Sequence, residues 1–156
     1  MTKLITTLLC SVMLLCNAAY GFSQNFDVRT KSEVTAEQLN TKLDNKLAGA
    51  GRYFIEAQKK YGINAEFLVA IAIHESGNGT SVAARRKNNF FGLIGKRGQL
   101  SFSSPQECIE YAAKTLTKPE GYYFGRGRYT ISRIASRYAA DKRWSSRIIA
   151  TMKSLS

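Results

Sequence analysis

Histidine, tryptophan, proline and cysteine are scarce in this 156-residue chain, which holds one, one, two and three of them. Two of the cysteines, Cys10 and Cys16, fall within the first twenty-one residues, so only Cys108 remains beyond them. One thiol cannot close an internal disulfide, and a single histidine without a Cys/His cluster supplies no zinc-ligand set. No metal and no organic cofactor is therefore expected. Two prolines and twelve glycines exclude collagen-like and proline-rich architectures. Acidic side chains are few as well, 11 against 23 basic ones, giving a formal net charge of +12. Such a surplus asks for an anionic partner: nucleic acid, an acidic lipid surface or an acidic wall polymer. At 44% hydrophobic the chain is globular rather than disordered.

Lys3 followed by the uncharged apolar run Leu4–Cys16 and then Ala19-Tyr20-Gly21 has the layout of a secretory signal. Thirteen apolar residues are too few to cross a bilayer, where roughly 20 are needed. Cleavage is expected after Gly21, with Ser23 as the alternative. A lipoprotein signal would use Cys16, but Leu15 stands where a small residue is required; an uncleaved N-terminal anchor is the other rival. No later apolar run is long enough to span a membrane, so an exported protein without stable membrane insertion is expected, periplasmic or extracellular and associated with the cell wall.

The remainder reads as short helices. Residues 22–34 lack periodicity and read as a leader or linker; residues 35–156 read as one mainly α-helical domain with a small hairpin or loop region. Thr35 opens a capping box with Gln38, and Leu39, Leu43 and Leu47 repeat every four residues as one helical stripe. A second helix carries Phe54, Ile55 and Tyr61 and stops at Gly62. Asn64 is an N-cap for a helix from Ala65 to about Ser76, apolar on every side and so central. Ser104-Pro105-Gln106-Glu107 is a second capping box. Thr130 and Asp141 are expected to cap two last helices, bearing Ile131, Ile134, Ala135 and Tyr138, then Trp144, Ile148, Ile149 and Met152. The glycine-rich stretch between Asn88 and Phe102 suits a small hairpin or an irregular loop. No apolar stripe is left over, so a monomer is expected.

Charge is unevenly placed. Residues 22–84 hold seven basic and seven acidic side chains; residues 85–156 hold fifteen basic and four acidic, a net +11. This surplus reads either as a basic face, densest at Arg85-Arg86-Lys87, or as solvated helix surface.

Glu75 closes the central helix within Ile73-His74-Glu75-Ser76-Gly77-Asn78-Gly79-Thr80. Helical spacing places it on the face of Leu68, Ile71 and Ala72. A carboxyl group emerging from an apolar helix is partly desolvated, which favours the protonated form that a general acid for glycosidic cleavage needs. A surface carboxylate at a frayed helix end, paired with a nearby cation, accounts for the same pattern. His74 beside it reads as an acid-tuning group or as a packed, hydrogen-bonded histidine.

The words of the sequence carry more than the pattern. Residues 61–81, Tyr-Gly-Ile-Asn-Ala-Glu-Phe-Leu-Val-Ala-Ile-Ala-Ile-His-Glu-Ser-Gly-Asn-Gly-Thr-Ser, closely resemble the bacterial peptidoglycan endo-β-N-acetylglucosaminidases, glycoside hydrolases with a lysozyme-like fold. The likeness continues at Lys87-Asn-Asn-Phe-Phe-Gly-Leu-Ile-Gly95, Phe102-Ser-Ser-Pro-Gln-Glu107 and Tyr138-Ala-Ala-Asp-Lys-Arg-Trp144, and so covers residues 35–155 in the family's order. The resemblance implies a lysozyme-like fold, Glu75 as the catalytic acid, and Asn88, Asn89, Phe90 and Phe91 lining or shaping a glycan groove. It places Tyr122 and Tyr123 where relatives carry a groove tyrosine, although core or rim packing explains them equally well. It implies peptidoglycan glycan strands as partner, with hydrolysis after N-acetylglucosamine; the export signal and the His-Glu-Ser-Gly block speak against nucleic acid.

The departure is equally plain. Better-known members carry a second carboxylate on a hairpin after the Asn-Asn-Phe block, whereas residues 92–104 hold no Asp or Glu. Glu120 and Asp141 are the remaining acids to consider, each also explained as a loop charge or an N-cap. A tyrosine orienting water, or the substrate's own acetamido group, could take the role instead. A lone carboxylate also suits a lytic transglycosylase, against which Phe90-Phe91-Gly92-Leu93 stands where those enzymes carry Gly-Leu-Met-Gln. A non-catalytic wall-binding protein is the reading from another class. Arg126 and Arg128 could meet muramyl or stem-peptide carboxylates, or be solvated loop arginines.

Overall fold

The helix that ends in Glu75 runs through the middle of the molecule. Residues Ala65 to Ala72 are all buried, so this helix meets protein on every side and no polar stripe is tolerated along it. The structure is a computed structural model that describes residues 21–156; the expected signal segment, residues 1–20, lies outside the described residues. In chain order the elements are α1 (Ala36–Asn40), a 3-10 turn (Asn45–Leu47), α2 (Gly51–Tyr61), α3 (Ala65–Ser76), α4 (Val82–Lys87), β1 (Ile94–Gly95), β2 (Gly98–Gln99), α5 (Pro105–Thr117), α6 (Ile131–Tyr138) and α7 (Trp144–Leu155). The two short strands form an antiparallel hairpin, with Ile94 opposite Gln99 and Gly95 opposite Gly98. α3 packs on α7 and α2, while α2 also carries α1 and α5.

Local chemistry explains most boundaries. Asn64 Oδ1 accepts from the Phe67 amide at 2.8 Å to start α3, and Gly77 ends it in the left-handed conformation. Thr35 and Gln38 exchange both capping-box bonds at α1. Ser104 Oγ caps α5 by accepting from the Glu107 amide, but the Glu107 carboxylate turns to the amide and hydroxyl of Ser103, so the box closes one residue early.

Some sequence expectations need correction. The Leu39, Leu43 and Leu47 stripe does not belong to one helix: α1 stops at Asn40, whose side-chain oxygen accepts from the Gly51 amide, and the chain reverses before the 3-10 turn. All three leucines are nonetheless buried, because a short helix, a loop and a turn deliver them to the same core. Gly51 is the first residue of α2, and a Cβ there would collide with the Ala36 carbonyl oxygen, so glycine permits α1 and α2 to touch. Asp141 does not cap α7, which begins at Trp144 behind Arg143; it caps the preceding turn, accepting from the Arg143 amide at 2.9 Å.

The segment 22–34 is packed on the domain rather than standing off it as a leader. Phe22 and Val28 are buried in the core. Its backbone bridges two distant parts of the chain: Val28 N donates to Tyr129 O at 2.8 Å, Asn64 N to Val28 O at 2.7 Å, Ile131 N to Phe26 O at 3.2 Å and Ser132 N to Gln24 O at 2.9 Å. Nothing periodic is needed for such a strap, because its partners are backbone groups. α4 is an element that the sequence pattern did not suggest; Ser81 Oγ caps it, accepting from the Ala84 amide. Among the described residues, no helix is long and apolar enough to cross a membrane.

Candidate active site

Glu75 stands in the last turn of α3, half-buried, where the central helix reaches the surface. The block that follows it is a fastening. The buried Ser76 donates its hydroxyl to Ala72 O at 2.6 Å and accepts from the Gly79 amide at 2.8 Å. Asn78 accepts from the Asp44 amide at 3.2 Å and donates to Lys42 O at 3.0 Å. These bonds tie the end of α3 to the loop at 42–44, so the position of Glu75 is set from both sides.

The carboxylate itself is held by Trp144, the first residue of α7. Trp144 is 2% exposed, and its indole Nε1 donates to Glu75 Oε1 at 2.9 Å. Tyr138, the last residue of α6, stacks on that indole with centroids 4.8 Å apart and planes 25° from parallel. Its hydroxyl donates to Phe91 O at 3.2 Å. Tyr123 leans on Tyr138 at 5.4 Å, and Tyr122 meets Tyr123 edge-on at 5.3 Å with the planes at 85°. A line of four aromatic rings thus leads from an exposed tyrosine to the acid. Burial pushes the Tyr138 phenol well above its ordinary range, and the negative charge of Glu75 adds to the shift. Burial raises Tyr123 too, followed by Tyr122 and Glu75. Both phenols therefore keep their protons at neutral pH.

Gly92 flanks the other carboxylate oxygen. It has φ +63°, and a Cβ there would lie 3.8 Å from Glu75 Oε2. The glycine permits the left-handed turn after the Asn-Asn-Phe-Phe block and keeps that side of the acid clear of side chain. Oε1 is thus occupied by the indole and Oε2 faces exposed backbone.

Asn88, Asn89, Phe90 and Phe91 come together beside this turn but act from below the surface. Asn88 closes α4 in the left-handed conformation and donates to Phe102 O at 3.0 Å. Asn89 is 1% exposed: its Oδ1 accepts from the Leu93 amide at 2.9 Å, and its Nδ2 donates to Leu93 O at 2.8 Å and Leu100 O at 3.0 Å. Phe90 and Phe91 are buried in the core. The buried three present no side-chain surface to a glycan; the structure gives them the work of shaping the turn and hairpin that carry Gly92, and not of lining a groove. Of the candidate binding residues, Tyr122 is exposed and Tyr123 and Asn88 are half-buried.

The other acids lie away from Glu75. Asp141 pairs with Arg147 at 3.2 Å and Arg143 at 3.5 Å, and the Arg143 amide holds its carboxyl below the usual range. Glu110 bonds Lys60 and, at 2.9 Å, the Tyr61 hydroxyl. The buried Glu66 accepts from Ser156 Oγ at 2.8 Å. Glu120 lines a cavity with Arg126, Arg128 and Arg137 beyond Tyr122. His74 is half-buried, and its side chain makes no hydrogen bond to any described residue, Glu75 included. Among the described residues, no cluster of three His, Cys, Asp or Glu is placed to hold a metal.

Trp144 and Tyr138 are the site residues that sequence reasoning missed. Both were read as helix-face residues of the core. The available signal was their place six apart across a helix junction, in a block that the resemblance had already marked.

This arrangement has relatives. The structure superimposes on a catalytic mutant of Staphylococcus aureus autolysin E in complex with the disaccharide NAG-NAM, with a TM-score of 0.73 and 26% identity over 85% of this chain and 71% of that one. The same autolysin in complex with the muropeptide NAM-L-Ala-D-iGlu gives a TM-score of 0.70 at 26% identity, covering 88% and 74% of the two chains. A Streptococcus pneumoniae serotype 4 protein assigned as an endo-beta-N-acetylglucosaminidase is 34% identical over 122 residues; the match takes in 72% of this chain but spans only 18% of the length of that relative. The family model for mannosyl-glycoprotein endo-beta-N-acetylglucosaminidase matches residues 51–156, which include Glu75, the aromatic line and Gly92. The chain is therefore a member of the mannosyl-glycoprotein endo-beta-N-acetylglucosaminidase family.

Proposed function

We propose that this protein is an exported peptidoglycan hydrolase that cuts the β-1,4 bond after N-acetylglucosamine, with Glu75 as general acid. The observation that carries the reading is the asymmetric seating of Glu75. With Oε1 accepting from the Trp144 indole at 2.9 Å, a proton on the group belongs on Oε2, the oxygen that faces Gly92 and open surface. That oxygen is the one a glycosidic oxygen can reach. The NAG-NAM complex of the similar autolysin supports a glycan of this kind as substrate.

In the reaction, Glu75 transfers its proton to the glycosidic oxygen as the C1–O bond breaks and oxocarbenium character develops at C1. Water then adds its oxygen to C1 and its proton restores the acid. Asp141 is held by cations, which leaves the second role to the unpaired Glu120 beyond Tyr122, to water aligned by the Tyr123 phenol or to the substrate's acetamido group. The routes differ in outcome: direct attack by water inverts the anomeric centre, and acetamide participation retains it. A proton NMR spectrum of the first product formed reads that choice. No cofactor takes part. The protein acts as a monomer in the periplasm or at the cell wall, and its basic half, net +11 over residues 85–156, attracts the anionic wall in a salt-sensitive manner.

Glu75 as the one carboxylate that the Trp144 indole holds favours one second reading, a lytic transglycosylase in which the muramyl 6-hydroxyl replaces water. Mass spectrometry of borohydride-reduced products from purified peptidoglycan separates the two. Reduced N-acetylglucosamine at new chain ends, lost by about a thousandfold in Glu75→Gln, is the expected result. Anhydromuramic ends move the protein to the transglycosylases. No new ends, with retained sedimentation on the wall, leave a binding protein on this fold.

A further inference from the structure

Beyond the exposed end of the aromatic line lies a cavity of about 640 Å³ between the 119–128 loop and α6, lined by Pro119, Glu120, Gly121, Tyr122, Gly125, Arg126, Arg128 and Arg137. Three guanidinium groups and one carboxylate give it a surplus of positive charge. Arg128 is used structurally: its side chain donates to the carbonyl oxygens of Tyr122, at 3.1 Å, and Tyr123, at 3.3 Å, which fixes the loop. Arg126 and Arg137 are different. Both are exposed, neither forms an ion pair with any described residue, and Glu120 in the same cavity pairs with none of the three. Arg137 lies over the Tyr122 ring, 5.2 Å from its centroid. Arg126 is held at φ +61°, a conformation unfavourable for a residue with a Cβ, between Gly125 and Gly127. At Gly125 a Cβ would collide with the Gly121 carbonyl oxygen, so part of the cavity floor is bare backbone.

We propose that this cavity is a carboxylate subsite, in which Arg126 and Arg137 grip a carboxylate carried by the peptidoglycan strand whose sugars occupy the neighbouring Tyr122 and Glu75 region. The planar fork of arginine matches a carboxylate with two parallel hydrogen bonds, and two unpaired forks in one cavity define a site rather than a diffuse charge. Tyr122 belongs to both parts: its ring packs under Arg137 and against Tyr123, which is near enough to Glu75 to feel its charge. The ligand chemistry has two sources on a glycan strand, the acids of a stem peptide and the lactyl carboxylate of a muramyl residue stripped of its stem. This inference rests on peptidoglycan being the substrate.

The test measures binding of soluble disaccharide fragments to the full protein carrying Glu75→Gln, which prevents turnover. Three fragments are compared: stem intact, stem removed to free the lactyl carboxylate, and stem intact with its carboxylates esterified. Adding Arg126→Asn and Arg137→Gln is expected to weaken binding of at least one free-carboxylate fragment about tenfold and to leave the esterified one unchanged. Loss confined to the stem-bearing fragment identifies the stem acids; loss with the stripped fragment identifies the lactyl group. The Arg126→Lys, Arg137→Lys pair, which keeps charge but not the fork, is expected to lose about threefold. An equal loss with the esterified fragment, no loss with any fragment, or no binding by the parent overturns the subsite. Wild-type protein run beside these on whole peptidoglycan keeps the questions apart: absence of new ends defeats the hydrolase reading and leaves the binding comparison standing.

Discussion

Trp144 and Glu75 are 69 residues apart in sequence and share one hydrogen bond, indole Nε1 to carboxylate Oε1 at 2.9 Å. The bond joins the first residue of α7 to the last turn of α3, the two helices that pack most extensively on each other. Replacing the indole by phenyl in Trp144→Phe keeps a ring against Tyr138 and removes only the donor. Glu75 then loses the group that fixes which oxygen faces outward. A lost hydrogen bond to a carboxylate is worth about 1.5–3 kcal/mol, so kcat is expected to fall about tenfold to a hundredfold with little change in KM. Steady-state kinetics on solubilised wall check this; a matching rise in KM with unchanged kcat would assign Trp144 to substrate binding instead.

That pairing shows where the sequence was and was not legible. α3 is readable to the residue, because Asn64 caps it, Gly77 ends it and residues 67–73 between are all apolar. Its signals are local, and so are those of the 94–99 hairpin and the Ser104 cap. The strap at 22–34 was opaque for the opposite reason: its amides and carbonyls bond Tyr129, Asn64 and Ile131, partners that only the folded chain brings near. Tyr138 and Trp144 looked like two residues of two helix faces, and the stack that turns them into a support for Glu75 appears only when α6 and α7 meet at an angle. For Phe90 and Phe91 the resemblance left lining and shaping both open. Aromatics in a family block suggest ligand contact, yet their burial makes them the foundation of the turn.

The strap is open to a direct test. Removing residues 22–34 takes away the buried Phe22 and Val28 and leaves the Tyr129 carbonyl and the Ile131 and Ser132 amides without their strap partners. Burial of two such side chains contributes roughly 4 kcal/mol, so a chain beginning at Thr35 is expected to lose about that much in urea denaturation. An unchanged midpoint would return the segment to the status of a linker.

Asn89 concentrates three hydrogen bonds in one buried amide, all to the 93–100 hairpin. Asn89→Leu is nearly the same size but leaves the Leu93 amide and the Leu100 carbonyl without the Asn89 side chain, while the Leu93 carbonyl keeps only the Leu100 amide. Stability is expected to drop by about 2–3 kcal/mol, and amide exchange across β1 and β2 to accelerate. Exchange unaltered there would mean that the hairpin holds itself.

Gly92→Ala separates strain from access. The positive φ costs an alanine about 1 kcal/mol in stability, and its methyl would sit 3.8 Å from Glu75 Oε2, on the side proposed for the approach of the glycosidic oxygen. Activity is expected to fall about tenfold at a temperature where the variant is fully folded. Full activity in the folded variant would place the scissile bond on another side of the acid.

Cys108 gives the fold a dependence on alkaline pH. Its thiol is buried, accepts from the Phe90 amide at 3.5 Å, and is pushed up by burial from an ordinary 9.0 to about 12. Above pH 9 the unfolded chain releases this proton while the folded chain keeps it. The unfolded state then binds fewer protons, and stability falls as pH rises. The contribution is complete below pH 9, declines by about 1.4 kcal/mol per unit above it, and is gone by about pH 12. The buried Tyr138 phenol, also raised, acts in the same direction at high pH. A comparison of the wild type with Cys108→Ala cancels that contribution, since both keep Tyr138. Denaturation midpoints measured from pH 8 to 11 are expected to converge as pH increases, the alanine variant having no thiol to ionise when it unfolds. Parallel curves would show that the thiol ionises as readily in the folded core as in the open chain, and rapid alkylation of the native protein at pH 9 would say the same.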